Sequence, residues 1–249
     1  MSVPEPVWVV VPTYNEAETI EPLVRAVLAV LPESRGVLIV DDSSPDGTGR
    51  IADRLAAEHD EVEVMHRPVK RGIGPAYLAG FRNVLDGGAA LVVQMDADFS
   101  HDPQDVPRLI AAASSADLVV GSRYAPGGRI LDWGPGRLAM SRWGSAYART
   151  VLGLRVRDMT SGFKCWRRRT LEAIDLGSIG SHGYAFQVEM TYRAVGAGFE
   201  VVEVPVTFRD RHVGESKMTG SIVVEAALKV PALRLGRRVR RTPAGGTLL

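Results

Sequence analysis

Two aspartates one residue apart, Asp96 and Asp98, follow the apolar run 90–95. At the end of a strand entering a turn, that spacing lets two carboxylates grip one divalent cation, and hard oxygen ligands suit Mg²⁺ or Mn²⁺. Bare carboxylates would repel a diphosphate, so a nucleotide ligand here calls for a metal between them. The same short pattern also arises where one aspartate caps a helix and the other is solvated. Two further polar stretches end apolar runs: Pro12-Thr13-Tyr14-Asn15-Glu16, and Asp41-Asp42-Ser43-Ser44-Pro45-Asp46-Gly47-Thr48. In open parallel sheets, ligands bind beyond the carboxyl ends of the strands, which is where all three stretches fall.

Basic residues supply the opposite charge. Arg123 follows an apolar run, Arg137 precedes Ser141 by four residues, and Arg211 and Lys217 share the stretch RDRHVGESK. Arg137 and Ser141 fall on one face of a helix that begins early enough. A guanidinium matches phosphate oxygens in two-point fashion, so converging arginines make an anion pocket, whereas any one of them alone reads as a surface residue. Other chemistries are excluded. Gly72-Ile73-Gly74-Pro75-Ala76-Tyr77 starts like a dinucleotide fingerprint, but Tyr77 stands where a small third residue belongs. A phosphate loop of the G-x-x-x-x-G-K-[ST] type is absent, and the five histidines show no metal-binding spacing.

Short β-branched runs at 7–11, 37–40, 61–65, 90–95 and 118–121 place these residues, with a later strand expected at 201–208. Helical periodicity fills 17–31 and 48–59, with further helices at 103–113, 138–152 and 222–239, the last interrupted at Pro231. Strands alternating with helices give an α/β fold: a mainly parallel sheet flanked by helices, in a single domain over 1–230 with a basic C-terminal tail at 231–249.

The composition agrees. The chain has 249 residues, 45% hydrophobic and 24% charged, in the range of an ordinary globular protein. Its single cysteine, Cys165, excludes an internal disulfide. No signal peptide and no apolar span of membrane length is visible. The net charge of +1 conceals an asymmetry: residues 229–241 carry one lysine and five arginines without an acid, and removing those six charges leaves −5 for the rest. Such a tail suits an anionic membrane surface. With aromatic residues at 6% and none in the basic stretch, it does not read as a nucleic-acid binder.

Taken in order, Pro12-Thr13-Tyr14-Asn15-Glu16, Asp41 to Thr48, Met95-Asp96-Ala97-Asp98, Gly121-Ser122-Arg123-Tyr124 and Gly214-Glu215-Ser216-Lys217 resemble the family 2 glycosyltransferases of GT-A fold. Among these the chain is most similar to the polyprenol (dolichol) phosphate mannose synthases, over about 7–230. Thr160-Ser161-Gly162-Phe163 and Gly183 to Met190 also match. The resemblance implies transfer of mannose from GDP-mannose to a polyprenyl monophosphate, with inversion. It implies a donor site of Pro12, Tyr14, Glu16, Val40, Asp42, Asp96, Ala97, Asp98, Arg211 and Lys217. It implies an acceptor-phosphate site of Arg123, Arg137 and Ser141, and a metal site of Asp96, Asp98 and Ser100, the last standing where some members carry Gln. Asp98, Arg123, Arg211 and Lys217 would carry catalysis with Mg²⁺ or Mn²⁺. A phosphate acceptor is already ionised and needs no general base; Glu189 is the strong base candidate for a hydroxyl acceptor, and its plainer role is an anchoring carboxylate. A lipid acceptor implies a peripheral protein at the cytoplasmic face of a membrane, held there by a membrane-embedded partner subunit or acyltransferase. The rival readings are a UDP-glucose-dependent polyprenyl phosphate glucosyltransferase and a non-catalytic sugar-nucleotide-binding subunit.

Overall fold

The computed structural model describes residues 5–181, 183–210 and 229–235. The strands are β1 (Val7–Thr13), β2 (Arg35–Asp41), β3 (Val62–His66), β4 (Leu91–Gln94), β5 (Leu118–Ser122), β6 (Arg129–Ile130), β7 (Lys164–Arg167), β8 (Val201–Pro205) and β9 (Thr207–Phe208). The helices are α1 (Ile20–Leu28), α2 (Thr48–Glu58), α3 (Ile73–Asp86), α4 (Val106–Ala112), α5 (Pro135–Leu152), α6 (Arg168–Ala173) and α7 (Gly183–Gly196). Seven strands form one sheet in the order β3-β2-β1-β4-β7-β5-β8.

Alternation along each strand divides the core. Val7, Val9 and Val11 of β1 pack on one face with Val37, Ile39, Leu91 and Val93, while Val10 turns to the other with Leu38, Val40 and Val92. Helix α1 covers the first face with the stripe Ile20, Leu23, Val24, Val27 and Leu28. Helix α3 covers the second, and Gly80 lets it in close: a Cβ there would lie 2.5 Å from Val10 Cγ1.

Every strand expected from the sequence forms. β1 to β4 are parallel, as are β5 and β8, but β7 runs antiparallel to both β4 and β5. The expected strand at 201–208 splits at Val206, because β9 leaves the main sheet to pair with β6. Helix α5 starts three residues before its expected boundary, with Pro135 in the first turn, where a missing N–H costs nothing. That earlier start puts Arg137 on the helix with Ser141. Residues 229–235 are helical with Pro231 among them, so proline does not interrupt the helix there. Val230 is buried in the core; the rest of the expected terminal helix lies outside the described residues. Among the described residues, no helix is long and apolar enough to cross a membrane.

Candidate active site

The loops leaving β1, β2 and β4 meet at the carboxyl edge of the sheet, and the first two hold each other through side chain-to-backbone bonds. Ala17 N donates to Asp46 Oδ2 at 3.0 Å, Glu16 N to Thr48 Oγ1 at 2.9 Å, and Asn15 N to Ser44 Oγ at 3.1 Å. Burial works against the charge on Asp46, but bonds from the Thr48 hydroxyl, the Thr48 N–H and the Ala17 N–H outweigh it and hold its carboxyl below the usual range. Asp41 is spent inside this frame, accepting from the Ser44 hydroxyl at 2.6 Å and the Thr13 hydroxyl at 3.1 Å. Each loop carries one non-glycine residue with left-handed backbone: Asn15 (φ 60°), Ser43 (φ 55°) and Phe99 (φ 55°). Such conformations cost of order 1–3 kcal/mol each and persist where the surroundings enforce them, here in three loops that each contribute residues to one cleft.

The cleft has a volume of about 330 Å³ and reaches from Pro12, Tyr14, Asp42 and Lys70 at one end to Thr160, Gly162 and Gln187 at the other. Asp42 is buried, which raises its pKa, and Arg67 opposes that effect by donating to its Oδ1 at 2.7 Å. Lys70 Nζ sits 3.5 Å from the Tyr14 ring centroid, a cation–π contact on the cleft wall.

Asp96 and Asp98 stand at the middle. Tyr77 of α3 donates its hydroxyl to Asp96 Oδ1 at 2.7 Å, and the Ser100 N–H bonds Asp98 Oδ1 at 3.0 Å. Burial first, then the neighbouring Asp96, pushes the Tyr77 phenol well above its ordinary pKa, so it stays a donor. Gly162 keeps the space beside the second oxygen: a Cβ there would lie 3.1 Å from Asp96 Oδ2. His101 stacks on Phe163 at 4.9 Å, and burial lowers its pKa, leaving the ring neutral behind the acids. Among the described residues, no cluster of three or more His, Cys, Asp or Glu is present. Two carboxylates in a cleft roomy enough for a diphosphate suit Mg²⁺ or Mn²⁺, which complete their shells with water and substrate phosphate. They do not suit an all-protein cage such as structural zinc.

Arg137 of α5 lines the same cleft. It donates to Asp210 Oδ1 at 2.6 Å, its guanidinium lies 4.2 Å from the Trp133 ring centroid, and its buried Nε has no hydrogen-bond partner among the described residues. One turn on, Ser141 is buried and accepts from the Tyr124 hydroxyl at 2.7 Å. Arg123 is held differently. Its fork grips Asp158 through Nε at 2.7 Å and Nη2 at 2.6 Å, Nη2 also bonds Thr160 Oγ1 at 2.8 Å, and both members of the pair are buried. Burial opposes both charges, but mutual attraction wins: the Arg123 pKa is raised and that of Asp158 lowered.

Of the residues expected at the site, Pro12, Tyr14, Glu16, Asp42, Asp96, Ala97, Asp98 and Arg137 line the cleft. Val40 is fully buried in the core beneath it, and Ser100 supports Asp98 from outside the lining. Arg123 lines a separate groove with Tyr124, Arg142, Arg149 and Arg157. Glu189 accepts from Arg193 at 2.9 Å away from the cleft, which is the anchoring arrangement. Arg211 and Lys217 lie outside the described residues. Sequence reasoning gave no role to Lys70, Tyr77, Thr160, Gly162 or Gln187, all of which line the cleft or hold its acids. Tyr77 had left a signal: the residue that spoils a dinucleotide fingerprint is the one that holds Asp96.

Residues 8–175 match the family model described as glycosyl transferase family 2. The chain is 49% identical to an undecaprenyl-phosphate mannosyltransferase from Micrococcus luteus, over 93% of this chain and 95% of that one. It is 47% identical to a polyprenol monophosphomannose synthase from Mycolicibacterium smegmatis, over 94% and 88%. Among solved structures, glucosyl-3-phosphoglycerate synthase from Mycobacterium tuberculosis, in complex with Mn²⁺, UDP-glucose and phosphoglyceric acid, superposes with a TM-score of 0.66 at 20% identity. That match covers 92% of this chain and 79% of the other, and it shows a shared GT-A fold.

Proposed function

The chain belongs to glycosyl transferase family 2, and from that premise we propose that it transfers mannose from GDP-mannose to a polyprenyl monophosphate, with inversion at the anomeric carbon. The observation that carries this reading is the pairing of opposite charges in one cleft, Asp96 and Asp98 at its middle and Arg137 on its wall. The acids suit a metal-bound diphosphate, and the arginine suits an acceptor that is itself an anion. The names of the two curated relatives support mannosyl transfer to a polyprenyl phosphate.

In this reading Pro12, Tyr14, Glu16 and Asp42 line the nucleoside end of the cleft. Asp96 and Asp98 hold Mg²⁺ or Mn²⁺ beside the diphosphate, with the Ser100 N–H and the Tyr77 hydroxyl fixing the carboxylates; the Mn²⁺ in the glucosyl-3-phosphoglycerate synthase complex supports a divalent cation. When bound, the cation neutralises charge on the departing nucleoside diphosphate, a contribution of several kcal/mol in sites of this kind. Arg137 meets the acceptor phosphate, while Arg123 and Ser141 stand behind that end of the site, Arg123 holding the lining Thr160 through Nη2. No base is required, because a phosphate monoester is ionised at neutral pH; the arginines align its oxygen for in-line attack. The resemblance assigns Arg211 and Lys217, which lie outside the described residues, to neutralising the donor phosphates. The acceptor is a lipid, so the enzyme works at a membrane surface. Helix α5 supports this: Met140 and Trp143 stand 47% and 56% exposed on the helix that carries Arg137, Arg142 and Arg149.

The test is transfer of radiolabel from GDP-mannose, with UDP-glucose in parallel, to a polyprenyl phosphate in detergent with Mg²⁺ or Mn²⁺. Mannose extracted with the lipid and lost on adding EDTA is the expected result. Label from UDP-glucose alone would replace the donor, and tight nucleotide binding without any transfer would make this a binding subunit.

A further inference from the structure

Three buried residues of the sheet and one of α7 form a hydrogen-bonded chain that ends in the cleft. Trp166 Nε1 donates to Gln94 Oε1 at 3.2 Å, and Gln94 Nε2 donates to Gln187 Oε1 at 2.8 Å. Lys164 Nζ donates to the same Gln187 Oε1 and to the Gln187 backbone carbonyl, both at 3.0 Å. Trp166, Gln94 and Lys164 are fully buried, and Gln187 is 4% exposed.

The ends of this chain decide its polarity. An indole N–H can only donate, so the Gln94 atom facing Trp166 is oxygen, and its amide nitrogen must face Gln187. The Gln94 nitrogen therefore faces the Gln187 oxygen, and Lys164, which donates to that same atom and to the Gln187 carbonyl, agrees. Two independent donors thus fix the Gln187 amide in one orientation. Among the described residues its Nε2 has no partner, and it belongs to a residue that lines the cleft beside Thr160 and Gly162.

Sheet order locates that amide along the substrate. The strands run β2-β1-β4-β7 across the cleft. With the nucleoside over β1 and β2 and the diphosphate at Asp96 and Asp98 after β4, the transferred sugar falls over β7 and the start of α7, where Gln187 stands. Resting on the functional reading above, we propose that Gln187 donates its side-chain N–H to an oxygen of the transferred sugar, and that Lys164, Gln94 and Trp166 are positioning residues that hold this donor in place. Gln187 then separates a nucleoside diphosphate sugar from the bare nucleoside diphosphate. A well-formed bond from a buried donor, lost on one side only, costs about 1–3 kcal/mol, or about 5- to 150-fold.

The side-chain amide of Gln187 can be followed directly by ¹⁵N NMR on the full chain, its signal assigned by its disappearance in Gln187→Met. With Mg²⁺ present, GDP-mannose, or UDP-glucose in a parallel arm, is expected to shift this NH₂ pair strongly, and GDP or UDP to leave it nearly in place. Equal shifts with sugar nucleotide and nucleoside diphosphate, or no shift with either sugar nucleotide, would overturn the inference. This readout needs no turnover, so a wild-type protein that transfers nothing refutes the functional reading while the amide shift still decides the role of Gln187. In binding and transfer assays, Gln187→Met is expected to weaken the sugar nucleotide and lower kcat/KM at least ~5-fold while nucleoside diphosphate affinity stays within 2-fold. Losing both affinities equally would reduce Gln187 to a structural residue. Should Gln187→Met fold poorly, Gln187→Glu keeps an oxygen toward Lys164 and Gln94 and puts a carboxylate oxygen where the donor was. Lys164→Met, which leaves Gln94 alone to hold the amide, is expected to fall between wild type and Gln187→Met in the affinity ratio.

Discussion

The two halves of the sheet handle charge in opposite ways. Around β1, β2 and β4, acidic side chains sit at strand ends and are bound by hydroxyls and backbone N–H groups of neighbouring loops, as Asp41, Asp46 and Asp98 are. Around β5 and β7, charges lie inside the protein: Arg123 grips Asp158, and Lys164 is fully buried against Gln187. In the first half the charges can meet a ligand; in the second they hold other groups in position. Losses in the first half should therefore register mainly in activity, and losses in the second mainly in stability.

Asp98→Ala against Asp158→Ala is the sharpest test. Asp98→Ala should lower transfer by ~10³-fold or more, as loss of a metal site does, with only ~1 kcal/mol lost from the Ser100 contact. Asp158→Ala leaves Arg123 buried without its partner and should cost about 3–5 kcal/mol, read by denaturant unfolding. Similar stability losses for both would erase the distinction between the halves.

Tyr77→Phe sits on the border, since its hydroxyl touches a cleft acid from within the core. Removing a group that orients a metal ligand typically costs 10- to 100-fold in metal affinity, and a titration of Mn²⁺ activation should show a shift of that size with maximal rate largely kept.

Lys164 should register in the pH dependence of stability. Burial lowers its pKa to about 7, with Asp158 pulling the other way. The unfolded chain holds that proton up to the ordinary lysine value, so between pH 7 and about 10 the unfolded state binds more protons and stability rises with pH. Below pH 7 both states are protonated and the cost of the buried charge is felt in full. Lys164→Met should flatten that rise, measured as melting temperature at pH 6 and pH 9.

This contrast also explains what the sequence made legible. Asp96, Asp98 and the stretch 12–16 could be found because a parallel sheet puts its chemistry at strand ends, and alternating β-branched runs mark those ends. Arg137 and Ser141 could be paired by helical spacing. Gln187, Lys164 and Asp158 could not: they act across strands that are neighbours only because β7 inserts antiparallel between β4 and β5. No local pattern records that insertion. Arg123 shows the same limit, since spacing could not reveal that Asp158, 35 residues on, would take its guanidinium.

The central claim is that one cleft carries a donor end built on carboxylates and an acceptor end built on Arg137. Steady-state transfer by Arg137→Gln, with both substrates varied, tests it most directly. A charge-assisted contact of ~1.5–3 kcal/mol should raise the KM for polyprenyl phosphate ~10- to 100-fold, with the KM for GDP-mannose within 2-fold of wild type. A raised donor KM with an unchanged acceptor KM would contradict it.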